Sequence, residues 1–277
     1  MTLRHDPQTV ADNWRAYLMT GDMDAFTLFG RTVTAKELRR VMQRLPSDPR
    51  CKACRLPFRG PGGSLMKILG RRPSRMNPHL CDNCEQYVAS NLGGAEVELT
   101  MLFADVRGST TLGEQMNPGQ YSRVINRFYS VVSDVLVRAD ALIEKLMGDE
   151  VVAMFVPGFA GPDHPRRAIE TAQTILHATG HGGPEGPWVS LGVGVHTGTA
   201  YVGAVGSEGG VNDIVALGNT VNTAARLASM AAAGEVIVSR DTMEASKLHA
   251  QPAEQRSLQL KGLREAVDVF VLRSNAS

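Results

Sequence analysis

Along residues 118 to 139, PGQYSRVINRFYSVVSDVLVRA, apolar side chains recur every three or four positions, the period of a helix with one buried face. Similar patterning predicts helices over 8–20, 34–45 and about 164–177, and Thr34 with Glu37 has capping-box spacing at the start of the second. EVELTMLFADV, 96–106, reads as a strand running into a loop, and ALIEKLMGDEVVAMFVP, 141–157, as two strands around a turn at Gly148 and Asp149. The uncharged stretch GPWVSLGVGVHTGTAYVGAVGS, 186–207, mixes Gly with branched residues, which predicts two strands joined by a turn rather than a membrane span. A helix at 218–232 and a strand pair within 256–272 complete the pattern. The βαββαβ-like order, with no internal repeat, predicts an α+β sandwich with helices on one face of a mostly antiparallel sheet.

Composition changes this picture at the N-terminal end. The 277 residues are 43% hydrophobic, enough for a core of ordinary size, but the net charge of +1 hides an asymmetry. Residues 1–90 carry 15 Lys+Arg against 8 Asp+Glu and the remainder 14 against 20, so two units with different roles are expected, joined by SNLGGAE. The start, MTLRHDPQTVADNW, has no apolar segment behind its charges, so no secretory leader is expected and the protein reads as cytoplasmic. Between 50 and 79 there are eight basic and no acidic residues, with many Gly and Pro, a module that needs something other than a core to hold it. All four cysteines frame it, as Cys51-x2-Cys54 and Cys81-x2-Cys84, the spacing of two knuckles closing a Cys₄ metal site. Zn²⁺ is the default ion and a [4Fe-4S] cluster the alternative. The basic residues could face nucleic acid, an anionic partner or the protein's own acidic half; with Phe58 the one aromatic among them, a nucleic-acid reader is disfavoured. A regulatory or dimer-organising module is the expectation.

Several residues in the second unit could carry chemistry. Asp105 ends a predicted strand and Asp149 sits in a hairpin turn; two carboxylates at adjacent strand ends can share divalent cations, although each alone reads equally as a cap or turn residue. Gly108, Ser109 and Thr110 form a small-residue turn whose free N–H groups suit phosphate oxygens. Lys145 could snorkel or reach a ligand. Asn222 and Arg226, four apart, share one helix face that could equally be solvated. Lys261 would ordinarily be a surface lysine.

Taken in order, FADVRGST, EKLMGDEVVAMF, VALGNTVNTAARL and LKG resemble the class III nucleotidyl cyclases, from about Glu96 to Leu272. Residues 1–90, outside the resemblance, read from their own pattern as a helical, Cys-rich metal-binding module. The resemblance implies a ferredoxin-like catalytic domain over 96–273. It implies two Mg²⁺ or Mn²⁺ ions per site, held by Asp105, Asp149 and the Val106 carbonyl, with Asn222 and Arg226 as the transition-state pair and Lys261 on the distal phosphates. It also implies a head-to-tail homodimer whose sites combine residues of both chains; the absence of a membrane segment is an expectation from the sequence pattern above. Lys145 matches the lysine that adenylate-type members aim at adenine N1, which favours ATP over GTP. Val215 stands where Asp or Thr is usual in adenylate members and Cys in many guanylate ones, so purine choice is expected to be relaxed. A guanylate or dual-purine cyclase, a non-catalytic nucleotide sensor and a zinc-ribbon binding protein are the alternatives.

Overall fold

A computed structural model describes residues 6–21, 26–28, 31–33, 35–45, 49–74, 77, 79–206, 212–248, 254–260 and 266–273. In chain order the elements are α1 (Pro7–Thr20), β1 (Phe26–Leu28), β2 (Arg31–Val33), α2 (Ala35–Gln43), α3 (Gly60–Ile68), α4 (Asp82–Ser90), β3 (Gly93–Val106), α5 (Ser109–Gln115), α6 (Pro118–Arg138) and β4 (Leu142–Met147). There follow β5 (Glu150–Phe155), α7 (Pro157–Ala160), α8 (His164–Ala178), β6 (Leu191–Gly206), β7 (Asn212–Leu217), α9 (Asn219–Met230), β8 (Glu235–Ser239), α10 (Arg240–Ser246), β9 (Glu254–Leu258) and β10 (Val267–Arg273). Two expectations, the Thr34 cap and the placement of Lys261, lie outside the described residues. The chain divides into two compact units, one from within Met1–Val97, Pro157–Phe159 and Tyr201–Leu217, the other from within Glu98–Val156, Ala160–Ala200 and Gly218–Ser277.

The second unit is built on a sheet in the order β4-β5-β3-β6-β8-β10-β9. Its first four strands, with α6 and α8, give the ferredoxin-like βαββαβ arrangement. Strands β4 and β3 both pair antiparallel with β5, whereas β6 and β8 are parallel. Helix α6 starts at a capping box, Asn117 with Gln120, and buries Ile125, Phe128, Val132 and Leu136 at spacings of three and four. These join the α8 face, including Ile169, Ala172 and Ile175, over Leu102, Ala104, Val151, Ala153, Val193, Val195, Val236 and Val238.

Two expectations need correction. Helices cover both faces: Leu227 of α9 packs with Ile237, Val269 and Val271, and Ile237, between Val236 and Val238, points to the opposite side of β8. The 186–207 stretch holds one long strand, β6, whose antiparallel partner over Tyr201–Gly206 is β7. The glycines that suggested a turn instead admit neighbours: a Cβ on Gly194 would collide with the backbone of Ala224 and Ala228, so glycine lets α9 lie close on the sheet. The connector SNLGGAE likewise passes into β3 at Gly93.

At the sheet's far end Glu235 accepts two hydrogen bonds from Arg256 (2.8 and 3.0 Å), one from Arg273 (2.8 Å) and one from the Ala232 N–H (3.1 Å). Hydrogen bonding to Arg256, with Ala232 and Arg273 adding to it, outweighs burial and holds this carboxyl down at about 2. A depressed carboxyl contributes stability that is complete above its unfolded value of 4.5 and lost as pH falls towards 2. Glu235→Gln is therefore expected to cost about 2 kcal/mol at neutral pH and to flatten that acid limb. Urea midpoints of wild type and variant between pH 7 and pH 2 check both points.

In the first unit α1 buries Val10, Trp14, Tyr17 and Leu18. Trp14 Nε1 donates to the Asn91 carbonyl (2.8 Å), and Tyr17 meets Phe159 edge-on at 5.1 Å. Arg39, 2% exposed, lies over the Phe159 ring and donates to the Ala53 carbonyl (2.6 Å). Arg50 caps the end of α2 through the carbonyls of Met42 and Leu45. Basic residues of this N-terminal half, Arg39 and Arg50 among them, therefore serve the fold. No helix among the described residues is long and apolar enough to cross a membrane.

Candidate active site and cysteine centre

Strand pairing alone brings two carboxylates together. Asp105 stands opposite Glu150 in the β3/β5 register, and the next residue, Val106, donates its N–H to the Asp149 carbonyl (3.0 Å). Gly148, at φ +62°, supplies the left-handed step that turns β4 into β5, and Tyr129 on α6 fixes that turn by donating to the Gly148 carbonyl (2.8 Å). Burial and the Asp149 charge raise the pKa of the Tyr129 hydroxyl and of the Glu150 carboxyl, the latter opposed by Arg107. Hard oxygen donors thus converge at one sheet corner, a donor set that fits Mg²⁺ or Mn²⁺.

Arg107, which the sequence reading passed over, is the cation of this corner. It forms an ion pair with Asp105 and donates through Nη1 to the Ser229 carbonyl (3.0 Å) near the end of α9. Its Nε is buried without a hydrogen-bond partner among the described residues, and burial lowers its pKa against the pull of Asp149 and Glu150. Residues two apart in an extended segment share a face, so the D-x-R spacing could have revealed the pair.

Beyond Arg107, Gly108 at φ +69° opens α5, and Ser109 and Thr110 form its first turn. Lys145 is exposed on β4, its Nζ 3.8 Å from Glu144. On α9, buried Thr220, Thr223, Ala224 and Leu227 face the protein, leaving Asn222 exposed and Arg226 half-buried. Among the described residues neither of the latter side chains has a hydrogen-bond or ion-pair partner, and none joins them to Asp105 or Asp149 of the same chain. Val215 lies in the first unit, half-buried on β7 opposite Gly203.

The first unit also gathers Cys51, Cys54, Cys81 and Cys84, all buried, with sulfurs within 4.8 Å of one another. Cys54 and Cys81 are 3.6 Å apart, and the Cys81 N–H points at the Cys51 sulfur (3.3 Å). Four bonds of about 2.3 Å to one tetrahedral ion would set sulfurs about 3.8 Å apart, so the cluster fits a single metal ion. Burial opposes ionisation of Cys51, but hydrogen bonds from Cys54, Cys81 and Cys84 outweigh it and bring its pKa well below the ordinary thiol value. Those same bonds to Cys51 raise Cys54 and Cys84.

The family profile "Adenylate and Guanylate cyclase catalytic domain" matches residues 95–274. The chain belongs to this family. An adenylate cyclase of Anabaena cylindrica is 25% identical over 195 residues, covering 64% of this chain and 37% of that protein. Adenylate cyclase 1 of Rhizobium meliloti is 30% identical over 143 residues, 48% of this chain and 21% of the relative. The chain thus spans well under half the length of these curated relatives. Among solved structures, the guanylyl cyclase Cya2 superposes with a TM-score of 0.59 at 26% identity, covering 65% of this chain and 93% of that one. The adenylyl cyclase CyaB of P. aeruginosa gives 0.55 at 24% identity, over 65% and 96%. The α+β domain described above is therefore a class III cyclase domain, and relatives of both purine types share its fold.

Proposed function

We propose that this protein is an adenylate cyclase that converts ATP to 3′,5′-cyclic AMP and pyrophosphate at sites shared across a homodimer. The observation that carries the reading is the backbone hydrogen bond that holds the Asp105 end of β3 against the turn of Asp149, together with an α9 pair, Asn222 and Arg226, whose side chains have no partner among the described residues. Two Mg²⁺ or Mn²⁺ ions, held by Asp105, Asp149 and the Val106 carbonyl, would neutralise the triphosphate and acidify the ribose 3′-hydroxyl. Asn222 orients the ribose, and Arg226 of the opposite chain meets charge developing on the α-phosphate oxygens. Lys145 donates to adenine N1, Lys261 holds the distal phosphates, and the turn at Gly108, Ser109 and Thr110 offers backbone N–H groups to phosphate oxygens. Exposed Leu146 (45%), Met147 (61%) and Met230 (45%) support burial against a second subunit.

In this reading residues 96–273 are the catalytic domain and 1–90 a cytoplasmic, metal-stabilised module. The sulfur spacing supports Zn²⁺ over a [4Fe-4S] cluster, in which each thiolate binds a different iron. Purified protein supplied with ATP or GTP, each with Mg²⁺ or Mn²⁺, is expected to make cyclic AMP from ATP; no cyclic AMP with either metal would refute the adenylate assignment, and no cyclic nucleotide in all four mixtures would refute cyclase activity.

Val215 favours a second reading, dual purine use, because a valine cannot accept from the adenine 6-amino group. One base-reading hydrogen bond is worth about 1 to 3 kcal/mol. Val215→Thr should therefore raise the ATP/GTP ratio of kcat/KM by about tenfold or more. An unchanged ratio would remove position 215 from base selection.

A further inference from the structure

The β6–β7 hairpin belongs by sequence to the cyclase domain, yet Tyr201–Leu217 clusters with the cysteine-bearing unit. The reason is visible at Lys52, the residue after Cys51. Its backbone N–H donates to the His79 carbonyl (2.8 Å), which places it inside the two cysteine knuckles. Its side chain is 9% exposed and reaches β7, where Nζ pairs with Asp213 Oδ1 (3.0 Å) and donates to the Ile214 carbonyl (2.7 Å). Asp213 Oδ1 also accepts from the Ile214 N–H (2.8 Å), so one ammonium and one carboxylate together fix the backbone immediately before Val215. Helix α4, which carries Cys84, packs on the same strand.

A buried ion pair is weak evidence for stability, since desolvation offsets much of its attraction, but it fixes geometry and register. Here it fixes the strand that carries the purine-selecting position and runs on through Gly218 into the helix of Asn222 and Arg226. We infer that Lys52 is a positioning residue for the base-reading strand, and that through it the Cys₄ metal centre controls purine choice and turnover. The inference rests on the cyclase reading only for what β7 and α9 do, not for the tie itself.

The test uses the full-length, metal-loaded protein and follows deuterium uptake of peptides covering 212–217, metal content, and kcat/KM for ATP and GTP. Stripping the metal from wild type is expected to speed exchange in these peptides at least about tenfold. Lys52→Met, which keeps the alkyl stem, should do the same with one metal ion per chain still bound, and should shift the ATP/GTP ratio severalfold. Lys67→Met, on the exposed side of α3 in the same module, should match wild type in all three measurements. Asp213→Asn removes the pair from the other side and serves if Lys52→Met does not load metal; the same result is expected. Wild-type exchange at 212–217 in a loaded variant, or unaltered exchange in stripped wild type, overturns the inference. The two readings fail separately. If β7 responds but no cyclic nucleotide forms under any condition, the cyclase assignment falls and the tie stands; if turnover proceeds regardless of the metal and of Lys52, the tie falls and the assignment stands.

Discussion

Alanine at Asp105 is expected to lower cyclic-nucleotide formation by about a thousandfold, since a bound metal contributes several kcal/mol and roughly 1.4 kcal/mol is a factor of ten. Nucleotide binding should survive, because Lys145, Asn222, Arg226 and Lys261 are untouched. The fold should survive as well: Asp105 is half-buried at the end of β3, and its loss leaves the β3/β5 pairing intact. Arg226→Ala should be similarly inactive for a different reason, the loss of a cation at the α-phosphate. The two dead variants then test the shared site. Random mixing makes half the dimers mixed, each with one site built wholly from intact residues, so about a quarter of wild-type activity should return. Activity no higher than that of either parent would rule out sites assembled across the dimer.

Loss of the Cys₄ metal should have the largest effect on stability. Helices α3 and α4, nine residues each, are too short to hold on their own, and the segment between the knuckles is rich in Gly, Pro and basic residues. Zinc bound by a small thiolate site contributes folding free energy outright, about 10 kcal/mol or more in isolated zinc-finger peptides. Cys84→Ser, which breaks the ligand set on α4, is expected to abolish stoichiometric metal binding and to open 49–90 to limited proteolysis, while the core of α6, α8 and β3–β5 stays protected. Elemental analysis and peptide mapping read both effects. Unchanged protection of 49–90 in a metal-free variant would show that the module is held by its apolar contacts. Equal iron and inorganic sulfide in the wild-type protein would replace zinc by a cluster.

The cyclase site was legible to different depths. Local patterning carried α1, α6, α8, the β4–β5 hairpin and the start of α9, because each follows a period or a turn signal short enough to read from neighbours. Asp105 and Asp149 were legible as strand-end residues, and the structure adds the Val106 hydrogen bond that ties the end of β3 to the turn carrying Asp149. Glycine was the misleading signal in β6. In isolation it reads as a turn, and only the approach of α9 makes Gly194 a necessity within a strand. EVIVS and RDTMEAS, β8 and α10, went unread because they are too short to carry a period.

By itself, then, the sequence determined the α+β class, the cyclase family, the pairing of four cysteines at metal-ligand spacing and the identity of the charged residues available for chemistry. These are properties of local pattern and motif, which survive without knowledge of what packs against what. Only the tertiary structure decided that helices cover both sheet faces, that Arg107 neutralises Asp105, and that Lys52 reaches β7. The last contact joins residues 161 positions apart. No periodicity encodes such a pair; burial of a lysine beside a cysteine knuckle, against the carboxylate and carbonyl of β7, selects it only when the chain has closed.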